Sequence, residues 1–454
     1  MRVRPLRRLA TVVALAGSAA LVISGCATAG AAPGSAPSGA LPELTADEHV
    51  EIVFESYNLS GQGIWGDTIQ GLIEQFNAEH PNIVVTGQGI DSASTAASIQ
   101  QQVLAGDPPD VGQMTFDTMS FSAESLNGAN LTEVVGQDKL DEHFGGEYPY
   151  HERARVLADI DGATYGLPYV FSTPVFWFNR TLLEDAGIDP DTMDISTWDA
   201  VAELAAQVTE HTGKPSVSNT CVLTGGNWCM QSMFLSGGAR VLSEDRSSIE
   251  FGSDEAVETV DTFARMYEDG LLENTDTNAS YESFARGDAI AFHVNTSALQ
   301  ATYMQGAEAN GWELDAAVLP QFGEREAVPT NSGSALVMYA QDPQKQAAAW
   351  EFMTFMTSPE AYEAITTGIG YLPLRSTMTE GDGPLAEWVQ ANPLVQPNLE
   401  QLDRLSPWVS YPGDQYAEVD RLLAVAIEDS VFNGKDAATE LPATAERAQA
   451  LIQD

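Results

Sequence analysis

Apolar and polar residues alternate over 49–56, with Val50, Ile52 and Phe54 on one side, and the period then lengthens so that Ile69, Leu72, Ile73 and Phe76 recur at helical spacing. The two-residue period predicts a half-buried strand and the longer one an amphipathic helix. Pro81 stops that helix, and Ile83, Val84 and Val85 begin a second strand. A chain that opens strand, helix, strand predicts a parallel sheet covered by helices, the α/β class.

The same reading continues along the chain. A polar helix rich in Ala and Gln is predicted over 92–104, ended by Gly106, Asp107 and the pair Pro108-Pro109 before Val111, because proline cannot continue a helix. An Asp-Gly turn within 159–166 predicts a hairpin leading into Leu167, Pro168 and Tyr169, and the unbroken apolar run Val175-Phe176-Trp177-Phe178 predicts a buried strand. Ser196 and Asp199 have capping-box spacing ahead of Trp198, Val201, Ala205 and Val208, so a helix is expected from near Thr197. Further helices are predicted over 255–268, 343–356 and 415–432, the last with Val419, Leu422, Leu423, Ala426 and Ile427 in register. There is no internal repeat.

The first residues read as an address. Arg2, Arg4, Arg7 and Arg8 precede an apolar stretch over 10–23, the pattern of a secretory signal, and Ile23-Ser24-Gly25-Cys26, which closes it, resembles a bacterial lipobox. Residues 1–25 are therefore expected to be removed and Cys26 to carry a diacylglycerol anchor, holding the protein outside the cytoplasm on the cell membrane. Residues 26–49 are rich in Ala, Gly, Ser and Pro, a composition that buries too little apolar area to offset chain entropy and so predicts a flexible tether. About 400 residues follow, enough for two lobes with separate cores.

Charge narrows the partners. The formal net charge is −45, and loss of the signal removes four arginines, so nucleic acid is excluded on Coulombic grounds. Only four lysines occur, Lys139, Lys214, Lys345 and Lys435. In an exported compartment Cys221 and Cys229 can pair, bracing the chain around Asn227 and Trp228; two buried free thiols are the alternative. No metal-ligand spacing is present, and no cofactor is expected.

Several phrases together resemble the family 1 extracellular solute-binding proteins of ABC importers, the group that holds maltose-, other sugar- and glycerol-3-phosphate-binding receptors. They are Phe76-Asn77-Ala78-Glu79-His80-Pro81 before a strand, Ala105-Gly106-Asp107-Pro108-Pro109-Asp110-Val111, Tyr165-Gly166-Leu167-Pro168, and Asn179-Arg180 followed by Ala186-Gly187. Ser172-Thr173-Pro174-Val175, Phe355-Met356-Thr357-Ser358-Pro359-Glu360 and the run from Thr367 through Gly370-Tyr371-Leu372-Pro373 to Arg375 are similar to the glycerol-3-phosphate and glycerophosphodiester branch.

The resemblance implies a two-lobed periplasmic-binding-protein-like (type II) fold with a hinge cleft. Lobe 1 is expected over 50–172 plus 315–358 and lobe 2 over 173–314 plus 359–454, with crossings near Ser172, Leu314 and Ser358. It also implies a monomer that captures a small polyhydroxylated ligand and hands it to the membrane subunits of an ABC permease, without being an enzyme. The branch's ligand-contacting positions fall here on Ser172, Ser297, Gly333 and Tyr371. Its early tyrosine falls near Asp91 and its carboxylate at Phe116 or Asp117, depending on a one-residue slip. The arginine that the branch carries before its C-terminal helix is absent from 406–414.

A sugar offers apolar ring faces and a rim of hydroxyls, so its receptor needs aromatic plates and planar hydrogen-bonding groups. Tyr57, Trp65, Trp228, Tyr371, Trp408 and Tyr411 supply the plates, and Asp91, Asp117, Ser172, Asn227, Asn295 and Ser297 the donors and acceptors. A phosphate ester would need a guanidinium, for which Arg375 is the candidate, although a surface ion pair is its expected role. A sugar or oligosaccharide is therefore the expected ligand, with a glycerol-phosphate ester second. An exported glycoside hydrolase would need two carboxylates flanking one bond, and nothing in the sequence singles out such a pair. A lipoprotein that kept the fold as an adhesin or signalling partner is a further alternative.

Overall fold

The computed structural model describes residues 41–60, 63–223, 226–413 and 415–453. The expected signal segment, Cys26 and most of the tether lie outside the described residues, as does the side chain of Asn227.

Strand β1 (Val50–Ser56) pairs in parallel with both β2 (Ile83–Gly89) and β3 (Val111–Thr115). The helix Ile64–Glu79 joins β1 to β2 and buries Ile69, Leu72, Ile73 and Phe76, as the periodicity requires. Asn77 near its end clamps β2, accepting from the Val85 amide at 2.8 Å and donating to its carbonyl at 3.0 Å. The helix Thr95–Ala105 ends at Gly106 in the left-handed region, φ 77°. Beyond it Asp110 accepts from the Val53 amide at 2.9 Å and pairs with Lys345 at 3.0 Å.

The Asp-Gly hairpin forms as β4 (Asp159–Ile160) and β5 (Ala163–Thr164). Strand β6 (Leu167–Ser172) enters the first sheet, and after the single residue Thr173, β7 (Pro174–Asn179) enters a second one. That second sheet adds β8 (Val217–Asn219), β9 (Phe292–Thr296) and β10 (Leu314–Ala317), in the order β10-β7-β9-β8. The chain then returns, and β11 (Ser332–Met338) completes the first sheet as β2-β1-β3-β11-β6, antiparallel to both of its neighbours.

The run 175–178 is apolar throughout because β7 is covered on both faces. Phe176 and Phe178 join the main core of the second lobe with Trp198, Phe263 and Phe292. Val175 and Trp177 face a smaller cluster with Phe284, Tyr303 and Trp312. Trp198 opens the helix Trp198–Thr212; its N-cap is Thr197, which accepts from the Ala200 amide, so the cap sits one residue after the expected Ser196.

Two of the three expected crossings move. Strand β10 pairs with β7, and Leu319 and Ala327 belong to the second core, so the return to lobe 1 falls between Ala327 and Ser332 rather than near Leu314. The stretch 359–405 belongs to lobe 1, contrary to its expected place in lobe 2. Helix Pro359–Ile369 packs on Ile64–Glu79, and the Tyr362 hydroxyl reaches the Pro168 carbonyl (2.9 Å) and the Tyr150 hydroxyl (3.0 Å). The first core extends through Leu405 and the second resumes at Tyr411, which puts the last crossing between them instead of near Ser358. A sequence pattern identifies a helix but not the sheet against which its apolar face is buried.

Candidate functional site

The crossings bring both lobes to one cleft of about 470 Å³. The first lobe contributes Tyr57 and Trp65, Asp117 and Thr118 from the turn after β3, Ser172 at the end of β6, Ser332 and Gly333 at the start of β11, and Tyr371. The second contributes Trp228, Tyr281, Thr296, Trp408, Tyr416 and Asp420. Both lobes belong to one compact unit, and they touch at the rim. There Arg246 donates to the Ser120 hydroxyl and the Ser410 carbonyl, each at 3.2 Å, and the rings of Phe121 and Tyr416 lie 5.3 Å apart.

The lining groups are held from behind by buried polar networks, which fix rotamers and keep polar atoms satisfied. The Gln113 amide donates to Asn58 (2.6 Å) and to Ser334 (2.9 Å), and Asn58 in turn donates to the Tyr371 hydroxyl at 3.4 Å. Tyr371 lies 5.5 Å from the Trp65 ring, and burial pushes its hydroxyl up to about 12, so it stays a protonated donor. Ser172 accepts from the Thr296 hydroxyl at 2.8 Å, tying the lobes where the chain first crosses.

Gly333 has φ 119°, and a Cβ there would collide with the Val170 carbonyl, so the strand can pass beside β6 only as glycine. Cys221 and Cys229 are joined, with Cα atoms 5.0 Å apart. The bridge fastens the 3₁₀ turn Thr220–Val222 to the helix Asn227–Gly237, which carries Trp228.

Of the sequence-predicted site residues, the cleft gathers Asp117, Ser172, Trp228, Gly333 and Tyr371, together with the expected plates Tyr57, Trp65 and Trp408. Of the two positions the slip leaves open, Asp117 lines the cleft, while Phe116 is 4% exposed within the first core. Burial raises the Asp117 carboxyl above the usual range, against hydrogen bonds from Thr115 and from backbone amides that lower it.

Besides Phe116, four candidates do not line the cleft. Asp91 sits at an exposed position where its carbonyl starts a turn, accepting from the Ser94 amide at 2.9 Å. Asn295 is fully buried and spent, donating to Thr220 and His293 and accepting from the Thr296 amide at 2.7 Å. Ser297 is buried behind the lining residues Thr296 and Ala298, and Tyr411 packs in the second core.

Arg375 is likewise neither a phosphate clamp nor a surface ion pair. It is 4% exposed, donates to the carbonyls of Thr357, Gly145, Tyr148 and His143, and stacks 4.5 Å over Tyr150. Residue type and spacing cannot separate a lining group from one a strand-turn away that faces the core.

Sequence reasoning missed Tyr281, Tyr416 and Asp420. The last two stand four apart at the start of the helix Tyr416–Phe432, whose apolar positions alone had been read. Their i, i+4 spacing, on the side of the helix that also carries Val419 and Leu423 at i+3 and i+7, is the signal that was available.

The chain matches the model of the bacterial extracellular solute-binding proteins over residues 62–363, more than half its length. It is 22% identical over 404 residues to the sn-glycerol-3-phosphate-binding periplasmic protein UgpB of Shigella dysenteriae, covering 83% of this chain and 87% of that one. UgpB from Mycobacterium tuberculosis, solved in complex with glycerophosphocholine, shares the fold with a TM-score of 0.76 at 20% identity, over 89% of this chain and 98% of that one. The cyclic alpha-maltosyl-1,6-maltose binding protein from Arthrobacter globiformis superposes with a TM-score of 0.74 at 18% identity, over 89% and 99% of the two chains. On the family match, which spans both lobes and the cleft between them, this chain belongs to the bacterial extracellular solute-binding proteins.

Proposed function

We propose that this protein is the solute receptor of an ABC importer, anchored outside the membrane through a lipid on Cys26. As a monomer it captures a saccharide between its lobes and delivers it to the membrane subunits of the permease. One observation carries the reading. Both lobes furnish aromatic side chains and hydrogen-bonding groups to a single cleft, Trp65, Tyr371, Asp117 and Ser172 from one and Trp228, Trp408 and Thr296 from the other.

Such walls suit a ring that is apolar on its faces and polar at its rim. Closure would bring the two sets together, so the bound form would be stabilised by lobe–lobe contact as well as by ligand contact. The name of one similar structure, a cyclic alpha-maltosyl-1,6-maltose binding protein, supports this class of ligand.

A glycerophosphate ester is the second reading, favoured by the glycerophosphocholine held by the similar structure. Against it, no arginine, lysine or histidine stands among the described lining residues, and Arg375 is occupied by backbone carbonyls. A thermal-shift panel of saccharides and glycerophosphodiesters is the direct test, since ligand at 100 times its Kd adds about 2.7 kcal/mol of stability. The expected hit is a saccharide whose affinity falls by about 1 kcal/mol in Trp228→Ala, the size of one aromatic contact. Micromolar binding of glycerol 3-phosphate that is indifferent to Trp228→Ala would overturn the choice. Anchoring is tested separately: Cys26→Ala should release the protein from membranes, and mass spectrometry finding an unmodified Cys26 with cleavage elsewhere would refute the lipid.

A further inference from the structure

Two tryptophans of the cleft wall are held by neighbouring residues of a single lobe crossing. Between Ala327, where the second core leaves off, and Ser332, which opens β11, the chain passes through Thr330 and Asn331, both fully buried. The Thr330 hydroxyl donates to the Trp228 carbonyl at 3.2 Å, and the Asn331 Oδ1 accepts from the Trp408 amide at 2.8 Å. Ser332 and Gly333 follow directly and line the cleft from the other lobe.

The rest of the hinge is fastened at the same place. The last crossing runs beside this one: Thr330 is bridged in parallel to Ser406, whose amide donates to the Pro329 carbonyl at 2.9 Å. Helix Asn227–Gly237, with Trp228 in its first turn, grips both crossings. Ser236 accepts from the Val328 amide at 2.9 Å and Ser232 donates to the Val328 carbonyl at 2.8 Å. Gln231 donates to the Val409 carbonyl at 2.8 Å and accepts from the Val409 amide at 3.0 Å. Trp228, Ser232 and Ser236 stand four apart with Gln231 beside them, so one side of the helix makes all these bonds.

A hinge is where backbone torsions change when lobes rotate. At Thr330 and Asn331 those torsions are linked by two buried hydrogen bonds to the backbone of both tryptophans. A rotation that swings Ser332 and Gly333 against the second lobe therefore also shifts Trp228 and Trp408 against each other. The bonds can transmit that shift because buried groups have no water to turn to. Asn331 is oriented by its oxygen alone, since its Nδ2 is sealed from solvent without an acceptor. Neither Thr330 nor Asn331 lines the cleft.

Resting on the reading of the cleft as a saccharide site, we infer that Thr330 and Asn331 are positioning residues that make ring stacking and lobe closure one event. They set the gap between Trp228 and Trp408 from the hinge, and a ring that fits the gap of the closed form binds that form better and so shifts the population toward it.

The test is a double-mutant cycle read by titration calorimetry on the full mature protein, with the tightest saccharide of the thermal-shift panel. Thr330→Val keeps the shape of the side chain and removes its hydroxyl, whereas Thr330→Ser keeps the hydroxyl. Thr330→Val should weaken binding by about fivefold, a difference of about 1 kcal/mol, and Thr330→Ser by less than about twofold. In the Trp228→Ala background the effect of Thr330→Val should vanish, because the plate it positions is gone. Asn331→Leu in the Trp408→Ala background gives the same cycle for the second plate. Small-angle scattering should show the wild type contracting at saturation and Thr330→Val contracting less.

Penalties of Thr330→Val and Trp228→Ala that simply add, equal losses in Thr330→Val and Thr330→Ser, or wild-type affinity in Thr330→Val would overturn the coupling and leave the saccharide reading standing. A second measurement needs no ligand. In protein labelled with fluorotryptophan, Thr330→Val should shift or broaden the fluorine resonance of Trp228 and leave those of the buried Trp177 and Trp198 in place. If the wild type binds no saccharide, the ligand reading falls; a Trp228 resonance that moves then still supports the coupling, and one that does not move overturns it.

Discussion

The disulfide is the place where stability and binding are most directly coupled. Cys221 and Cys229 are eight residues apart, both fully buried. In the chain-entropy description, closing a loop of that length removes about 8 cal/mol/K from the unfolded ensemble, or about 2.5 kcal/mol at 25 °C. Replacing both cysteines by alanine avoids leaving a buried thiol pair and should cost about that much. If the second lobe unfolds as a unit of some 150–250 residues, its melting temperature should fall by about 5–10 °C.

The same change frees the 3₁₀ turn Thr220–Val222 from the helix that presents Trp228, so ligand affinity should fall too, part of the binding energy now going to order that helix start. Scanning calorimetry on the wild type, the reduced wild type and the Cys221→Ala/Cys229→Ala double variant gives the stability term, and titration calorimetry gives the binding term. A double variant that melts within a degree of wild type would refute the loop-entropy argument. One that is destabilised but binds unchanged would refute the coupling to Trp228.

Gly333→Ala should destabilise the protein by about 1–3 kcal/mol, because alanine is strained at positive φ and its Cβ would meet the Val170 carbonyl; chemical denaturation reads the loss, and an unchanged midpoint would contradict the close approach. Arg375→Met leaves the carbonyls of Thr357, Tyr148 and His143 without their donor and should cost more than about 2 kcal/mol without changing the ligand's Kd at temperatures where the variant is folded; a large change in Kd with an unchanged melting point would return Arg375 to the site. Asp117→Asn should stabilise the ligand-free protein near neutral pH. Burial raises the folded-state pKa of Asp117, so its contribution is fully present below the unfolded value and lost as pH rises through the folded one; the gain from asparagine should therefore vanish in acid, and melting curves at pH 4 and pH 7 that shift by equal amounts would refute the sign.

The sequence by itself determined what depends on near neighbours along the chain. The strand at Val50–Ser56, the helix burying Ile69, Leu72, Ile73 and Phe76, the buried run at 175–178 and the residue types able to build a ligand cleft were all legible, because periodicity, proline stops and caps act over a few residues. Tertiary structure decided what depends on distant partners. Helix Pro359–Ile369 lies on lobe 1 because its apolar face meets the helix Ile64–Glu79, almost 300 positions earlier. Asn295 and Tyr411 turn inward while Tyr416 and Asp420 turn to the cleft, since a one-residue step along a strand or about half a turn of a helix reverses the direction of a side chain. Arg375 is committed to carbonyls from two separate segments of lobe 1, 143–148 and Thr357. Asp117 and Asp420 share one cleft only once the two lobes face each other, because packing in space rather than separation along the chain decides which side chains meet.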